Sequence, residues 1–264
     1  MEVILSIVVL IFAFDLLNSS AGMGLGTLSA PVLFLMGYDI HQVIPVLVID
    51  AAISGWISGW FHQEFENVNF SFKRPLNQAT RTLLIIAGIG CFTIFIGVFF
   101  TYFLLKDLLT DEVVKTYVGI LVIMMAGMGL TNFREKGGGE YNPKLLTLFA
   151  GVAGLNKGIS GGGYGPVMVL GEILSGVYEK TAAAISQTSE GIVSTAGAIT
   201  FFTILTAGGQ IDLVLLPSIF TGTFFASILA PYFVRVFPNK VWRVLIPGYA
   251  LTVGSLFLIK VLLF

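Results

Sequence analysis

Three ionisable side chains lie inside long apolar stretches of this sequence, where a charge is costly. Lys157 adjoins a glycine cluster, and Asp50 and Glu190 each lie near the centre of a later apolar segment. A charged side chain at the middle of a bilayer costs about 2.5–3.5 kcal/mol on insertion scales, so it usually has a functional or pairing role. An ammonium group can bind an anion, and a carboxylate in a low dielectric can take up and release a proton. These residue types indicate anion binding and proton movement within a membrane.

Two glycine clusters supply the second element of a candidate site. One surrounds Gly24 and Gly26, and the other surrounds Gly163 and Gly165. A constant offset superimposes the first set of glycines on the second: Gly22, Gly24, Gly26 and Gly37 on Gly161, Gly163, Gly165 and Gly176. Such self-similarity predicts an internal repeat. Paired glycine breaks at matching places of two apolar halves indicate the binding site of a transporter.

The helical arm after each break would direct its N-terminus toward the membrane centre. Helix N-termini carry partial positive charge and free N–H donors, so two of them facing each other would form an anion cradle. Lys157 would add charge at the second break, where it aligns with Asn18 of the first. The predicted substrate-binding residues are Asn18, Gly24, Gly26, Lys157, Gly163, Gly165 and Gln187. Two alternatives stay open: the glycines could serve only close helix packing, and Lys157 could pair with Glu190, Asp50 or Asp15.

Asp50 and Glu190 are the predicted proton-coupling residues. Ser54 and Ser58 follow Asp50 on the same helical face, and Gln187 and Ser194 share the face of Glu190. The alternative is that both carboxyl groups only hold helices together through hydrogen bonds. Weaker candidates are Asp15 and Glu172, and the span-end residues His41 and His62 are expected at the interface.

Composition predicts the class of protein that positions these residues. The chain is 56% hydrophobic and 11% charged, whereas soluble domains are about 25% charged. We expect an all-α polytopic membrane protein, with residues 1–264 forming a single transmembrane domain and the first apolar segment retained rather than cleaved. The single Cys91 excludes an intramolecular disulfide and a cysteine-based metal cage. No catalytic triad, metal-ligand spacing, cofactor motif or nucleic-acid-binding pattern is evident, so an enzyme is not predicted.

Chain length dictates a hairpin at each glycine cluster. As one helix, residues 2–37 would extend ~54 Å, against ~30 Å of hydrocarbon. We therefore predict that residues 2–37 and 144–176 each enter the membrane, turn at the glycines and leave on the same side. Ordinary spans would follow at 41–63, 80–105 and 112–133, and again at 180–207, 212–235 and 241–263. The first repeat is then 1–135 and the second 144–264.

The distribution of basic residues predicts the orientation. Cytoplasmic loops are enriched in Lys and Arg. Placing the loop after the first ordinary span inside collects most basic residues there: Lys73, Arg74, Arg81, Arg134, Lys136, Lys144, Lys180, Arg235, Lys240 and Arg243. Only Lys106, Lys115 and Lys260 remain outside, and Trp56, Trp60 and Trp242 fall near the inner interface. The two halves then have inverted topology; a rival arrangement, in which every hairpin arm crosses fully, has the same sidedness.

Both glycine-rich elements, GMGLGTLSAPVLFLMGY and NKGISGGGYGPVMVLGEILSG, resemble those of the TauE/SafE-type sulfite exporter family, as do the length and the two halves. The resemblance implies transport of sulfur oxyanions or organosulfonates such as sulfite or sulfoacetate. We therefore expect a gradient-coupled secondary transporter of a small anion in the plasma membrane, working by alternating access. An anion-selective channel of the same architecture and a membrane-embedded enzyme are the alternatives. The expected partners are the anion and the lipid bilayer, with a homo-oligomer left open.

Overall fold

The computed structural model describes residues 3–104, 111–131, 140–207, 211–238, 248, 251–252 and 254–260, and these contain helices and no strands. The α-helices are α1 Leu5–Ser20, α2 Gly26–Leu35, α3 Ile40–Glu64, α4 Gln78–Phe99, α5 Asp111–Thr131, α6 Pro143–Ser160, α7 Tyr164–Leu174, α8 Glu179–Thr206 and α9 Leu216–Val236. A π-helical turn, Phe100–Leu104, extends α4. Residues 254–260 are also helical. The predicted all-α fold class is confirmed.

Within the described ranges, four helices are long and apolar enough to cross a membrane: α3, α4 with its extension to Tyr102, α8 and α9. Polar caps fix where several helices begin. The Asp39 side chain accepts hydrogen bonds from the backbone of His41 and Gln42 at the start of α3, and Asn77 caps α4 in the same way. These caps satisfy N–H groups that have no partner within their own helix. The helix lengths and composition confirm a polytopic membrane protein.

The two predicted breaks lie where the glycines are. Between α1 and α2, Gly22 and Gly24 have φ angles of 71° and 69°, and between α6 and α7, Gly161 and Gly163 have φ angles of 71° and 73°. Side chains other than glycine rarely adopt this left-handed conformation, so the sequence dictates the position of each break. The arms after the breaks also end alike, at Gly37 with φ 97° and Gly176 with φ 85°.

Small residues bring the long helices into backbone contact. The central pair is α3 with α8, while α1 packs on α9 and α6 packs on α4. A Cβ atom on Gly55 of α3 would lie 2.5 Å from the Cα of Gly191 on α8. On α6, a Cβ on Gly158 would lie 2.6 Å from the carbonyl oxygen of Ile94 on α4. Close packing through small residues is therefore one role of the glycines in this fold.

Several predictions concern residues that the structure does not fully describe. The predicted last span, 241–263, lies largely outside the described residues. The same is true of a set of basic and aromatic residues used for the orientation: Lys106, Arg134, Lys136, Lys240, Trp242 and Arg243. Sidedness, the repeat boundaries 1–135 and 144–264, and the inverted relation of the halves stay predictions.

Candidate functional site

The two glycine breaks meet each other at the starts of α2 and α7. A Cβ on Gly26 would lie 2.2 Å from the carbonyl oxygen of Gly161, and a Cβ on Gly165 would lie 2.2 Å from the carbonyl oxygen of Met23. Only glycine allows this approach, because any side chain would overlap the opposite backbone. Neither helix start is capped by a side chain. The first N–H groups of both helices are therefore left to other acceptors, as an anion cradle requires.

A buried ion pair lies beside this junction. Lys157 in the last turn of α6 places its Nζ 2.6 Å from Oε1 of Glu190 in the middle of α8, and the two side chains are 0% and 4% exposed. The second oxygen, Oε2 of Glu190, has no hydrogen-bond partner within the described part of the chain. That oxygen abuts the break, because a Cβ on Gly24 would lie 2.0 Å from it. A carboxylate of the protein itself thus occupies the space between a lysine and the start of α2.

Of the three pairing partners left open by the sequence, Glu190 is the one that Lys157 contacts. A buried ammonium group needs a partner, since an isolated buried charge is strongly disfavoured. Glu190 provides that partner in this conformation. The geometry is compatible with both interpretations of Lys157, because a group that holds a carboxylate at a helix N-terminus also has the surroundings to hold a foreign anion.

A narrow polar cleft opens next to the ion pair. Its empty space is about 230 Å³ counted out to the mouth, and the enclosed part has room for about one water molecule. Residues from both halves of the sequence line it: Asp15, Ser19, Leu25, Ala51, Ser54, Gly55, Ser58, Gln187, Glu190 and Ser227. The cleft is too tight in this conformation to admit an anion alongside Glu190.

The buried carboxyl groups of Asp50 and Asp15 are anchored by hydroxyl donors. Thr223 of α9 donates a hydrogen bond of 2.9 Å to Oδ1 of Asp50, and Ser19 donates one of 2.7 Å to Oδ1 of Asp15. Asp50 is 0% exposed, and its Oδ2 has no hydrogen-bond partner among the residues described. Hydroxyl groups thus support both carboxyl groups.

The structure brings most of the predicted site residues to one region. Gln187 and Glu190 line the cleft, and Gly163 is the N-cap residue of α7. Asn18 is fully buried near the end of α1, and neither its amide nitrogen nor its amide oxygen has a hydrogen-bond partner in the described ranges. Asn18 and Asp50 are not among the residues that line the cleft.

Two residues that the sequence did not indicate, and one that it indicated only weakly, lie at the site. Ser19 and Ser227 line the cleft, and Asp15, a weak candidate, lines it as well. The i+4 spacing of Thr223 and Ser227 on an apolar helix was the available signal. His62, expected at the interface, lies near the end of α3 with its side chain fully buried, because the chain after α3 folds back over it through Asn67.

No group of three or more His, Cys, Asp or Glu residues that could hold a metal ion occurs in the parts of the chain that the structure describes. The site is instead composed of one ammonium group, two uncapped helix starts, amides, hydroxyls and carboxyl groups. Such a set of donors and titratable groups suits an oxyanion and protons.

Comparison with known families identifies the chain. A family model described as sulfite exporter TauE/SafE matches residues 7–257, which is nearly the whole sequence. No curated protein sequence matches the chain. With its membrane-length apolar helices, the chain is an integral membrane protein and belongs to the TauE/SafE sulfite exporter family, a family of transporters.

Proposed function

We propose that this protein is a secondary transporter that carries a sulfur oxyanion or an organosulfonate, such as sulfite or sulfoacetate, across the cell membrane by alternating access with proton coupling. The observation that carries this is the buried Lys157–Glu190 pair at the junction of the two breaks. A fully buried lysine is a poor arrangement for stability alone, because the desolvation of its charge is costly. The protein's own carboxylate compensates for this in the absence of a substrate.

In the proposed cycle the anion replaces Glu190 at Lys157. The ammonium group would donate to one substrate oxygen, and the N–H groups at the start of α2 would donate to another. Gln187 lines the cleft with its Nε2 unpartnered by any described residue, so it can add a further hydrogen bond. A sulfonate or sulfite group presents three oxygens, which suits donors that converge from α6, α2 and α8.

Proton coupling follows from the loss of the Lys157 counter-charge by Glu190 when the anion binds. Once Lys157 turns to the anion, Glu190 is a buried carboxylate without a counter-charge, and such a group neutralises by binding a proton. Anion and proton then occupy the site together, and their departure restores the ion pair. Asp50, buried nearby with one oxygen to which no described residue donates a hydrogen bond, is the second proposed proton carrier.

The matched backbone of the two halves supports alternating access. Gly22, Gly24 and Gly37 repeat the left-handed conformations of Gly161, Gly163 and Gly176. The contacts across the junction are also exchanged by the repeat, since Gly26 touches Gly161–Gly162 while its counterpart Gly165 touches Gly22–Met23. Two elements related in this way can exchange conformations about a fixed site. The tight cleft favours such a carrier over an open channel.

An anion screen on purified protein tests this function. Melting temperatures would be measured with sulfite, sulfate, sulfoacetate, taurine, phosphate and acetate, at increasing concentration. A ligand at 100 times its Kd stabilises the folded state by about 2.7 kcal/mol, so sulfite or a sulfonate should raise the melting temperature more than acetate does. Failure of every anion in the screen to stabilise the protein would overturn the proposed substrate class.

Substitution of Lys157 locates the binding in the same assay. Lys157→Ala should weaken anion binding by about tenfold to a hundredfold, since charge-assisted hydrogen bonds contribute roughly 1.5–3 kcal/mol each. Lys144→Ala is the matched control, because Lys144 is exposed at the other end of the same helix. A folded Lys157→Ala protein that binds its anion as tightly as the parent would remove Lys157 from the site.

A further inference from the structure

One face of α3 carries a row of buried polar side chains that extends beyond the cleft. Asp50, Ser54, Ser58 and His62 follow one another at intervals of four residues, so each lies about one turn beyond the last, in a stripe that winds around α3 by about 40° per step. Their exposed fractions are 0%, 7%, 1% and 0%. Three atoms of this row, Asp50 Oδ2, Ser58 Oγ and His62 Nε2, have no hydrogen-bond partner within the described residues. Buried polar atoms are normally paired, so such a row indicates ordered water or a transported species.

A second polar row on α9 faces the first. Thr223 donates to Asp50, and Ser227 lines the same cleft as Ser54 and Ser58. One turn further on, Pro231 has no N–H to offer, so the carbonyl group of Ser227 lacks its helical donor. The two rows face each other where α3 packs on α9, and we call them together the α3–α9 seam.

His62 closes the seam at the far end. The Asn67 amide donates hydrogen bonds to Nδ1 of His62 at 3.1 Å and to the carbonyl oxygen of Pro231 at 2.9 Å. Because Nδ1 accepts, the neutral imidazole carries its proton on Nε2, and this is the ring nitrogen that no described residue contacts by a hydrogen bond. The side chain is thus held in the tautomer that can donate into the seam.

Charged groups surround each end of the seam. Near His62, the surface carries the ion pair of Arg235 with Glu66 at 3.3 Å, together with Glu64 and with Lys180, which donates to the carbonyl oxygen of Arg235. Both members of the ion pair are well exposed, at 54% and 79%, so the His62 end adjoins solvent. At the other end, Asp15 of α1 and Lys157 of α6 interact electrostatically with Asp50, and Glu190 is bound to Lys157.

We infer that the α3–α9 seam is the path by which protons travel between the solvent-facing end of the protein and the midplane carboxyl groups, with His62 as its entrance. Each step along the row covers about 6 Å of helix axis, a gap that one bridging water can span. A proton that binds Nδ1 of His62 displaces the hydrogen bond that the Asn67 amide donates there. The imidazolium then loses its other proton, from Nε2. That proton passes by way of Ser58, Ser54 and water to Asp50, where an O–H bond forms. This path rests on the proposed proton coupling of the transporter.

The test separates proton movement from anion binding. Purified protein would be reconstituted into liposomes that contain a pH-sensitive dye, and an imposed sulfite or sulfonate gradient would drive transport. His62→Gln keeps a hydrogen-bonding side chain but cannot carry a proton, so we expect anion-driven proton movement to fall at least tenfold. Anion binding, measured by thermal shift, should stay within about twofold of the parent because His62 is not among the residues that line the cleft.

Matched variants and the wild-type protein make the outcome decisive. His41→Gln makes the same change at the start of α3, where the side chain is exposed, and should leave proton movement unchanged. Ser58→Ala interrupts the row without removing a titratable group, and it should also slow proton movement. It replaces His62→Gln as the test if that variant does not fold. If the parent moves protons with the anion and His62→Gln or Ser58→Ala does so at the same rate, the proposed proton path is wrong, while the proposed proton coupling stands. A parent that carries the anion without moving protons would overturn the coupling itself and the seam with it.

Discussion

Replacing the two members of the Lys157–Glu190 pair separately and together gives the most informative change in stability. Lys157→Met removes the ammonium group while keeping much of the side-chain volume, and it leaves Glu190 buried without a counter-charge. Both side chains are almost fully buried, so solvent screening weakens their interaction little. Breaking a buried pair on one side costs about 3–5 kcal/mol, which corresponds to a loss of very roughly 6–20 °C in melting temperature for a chain of this size.

The double variant Lys157→Met with Glu190→Gln should recover most of that loss. Apolar or neutral groups of similar volume often replace a buried ion pair with little change in stability, because the desolvation cost of both charges disappears. Melting temperatures in detergent, without added anion, would be compared for the parent, both single variants and the double variant, with Lys144→Met as the control. If the double variant is no more stable than Lys157→Met, the two side chains are not energetic partners. The stable double variant should still fail to bind the anion.

Two further predictions concern the breaks and the orientation. Gly24→Ala and Gly37→Ala both force a residue with a side chain into the left-handed conformation, which costs about 1–2 kcal/mol. They differ in their surroundings: a Cβ at Gly24 would overlap Glu190, whereas nothing lies within 4 Å of a Cβ at Gly37. We therefore expect both to lower the melting temperature and only Gly24→Ala to change anion binding; equal effects on binding would show that the break does not shape the site. In a Cys91→Ala background, a cysteine at Lys260 should react with an impermeant reagent from outside and one at Asn77 should not, and labelling of both from the same side would contradict the inverted topology.

Local chemistry made the breaks predictable. Left-handed backbone at Gly22 and Gly161 requires glycine, so the positions where α1 and α6 end can be deduced from residue types alone. The helix lengths follow equally from apolar composition and from caps such as Asp39 and Asn77. In each case the determining interaction lies within a few residues along the chain.

The partners of the buried polar residues could not be deduced in this way. The sequence offers three carboxyl groups as partners for Lys157, and the pairing with Glu190 depends on how α6 lies against α8. Thr223 and Ser227 have the small size common in membrane helices, and only the packing of α9 on α3 shows that they face Asp50 and the cleft. The position of His62 at the end of a span gives no sign that Asn67 covers its side chain from a loop. These contacts join residues that are distant in sequence.

The most direct test of anion exchange at Lys157 is the number of protons taken up when the anion binds. Calorimetric titration of the purified protein with sulfite or a sulfonate, in buffers of different ionisation enthalpy, gives this number. If the anion displaces Glu190 from Lys157 and the freed carboxylate is neutralised, the parent should take up about one proton per anion bound, because a buried carboxylate without a counter-charge binds a proton. Glu190→Gln should bind the anion with no proton uptake at that position. Binding by the parent without proton uptake, or with the same uptake in Glu190→Gln, would contradict the exchange.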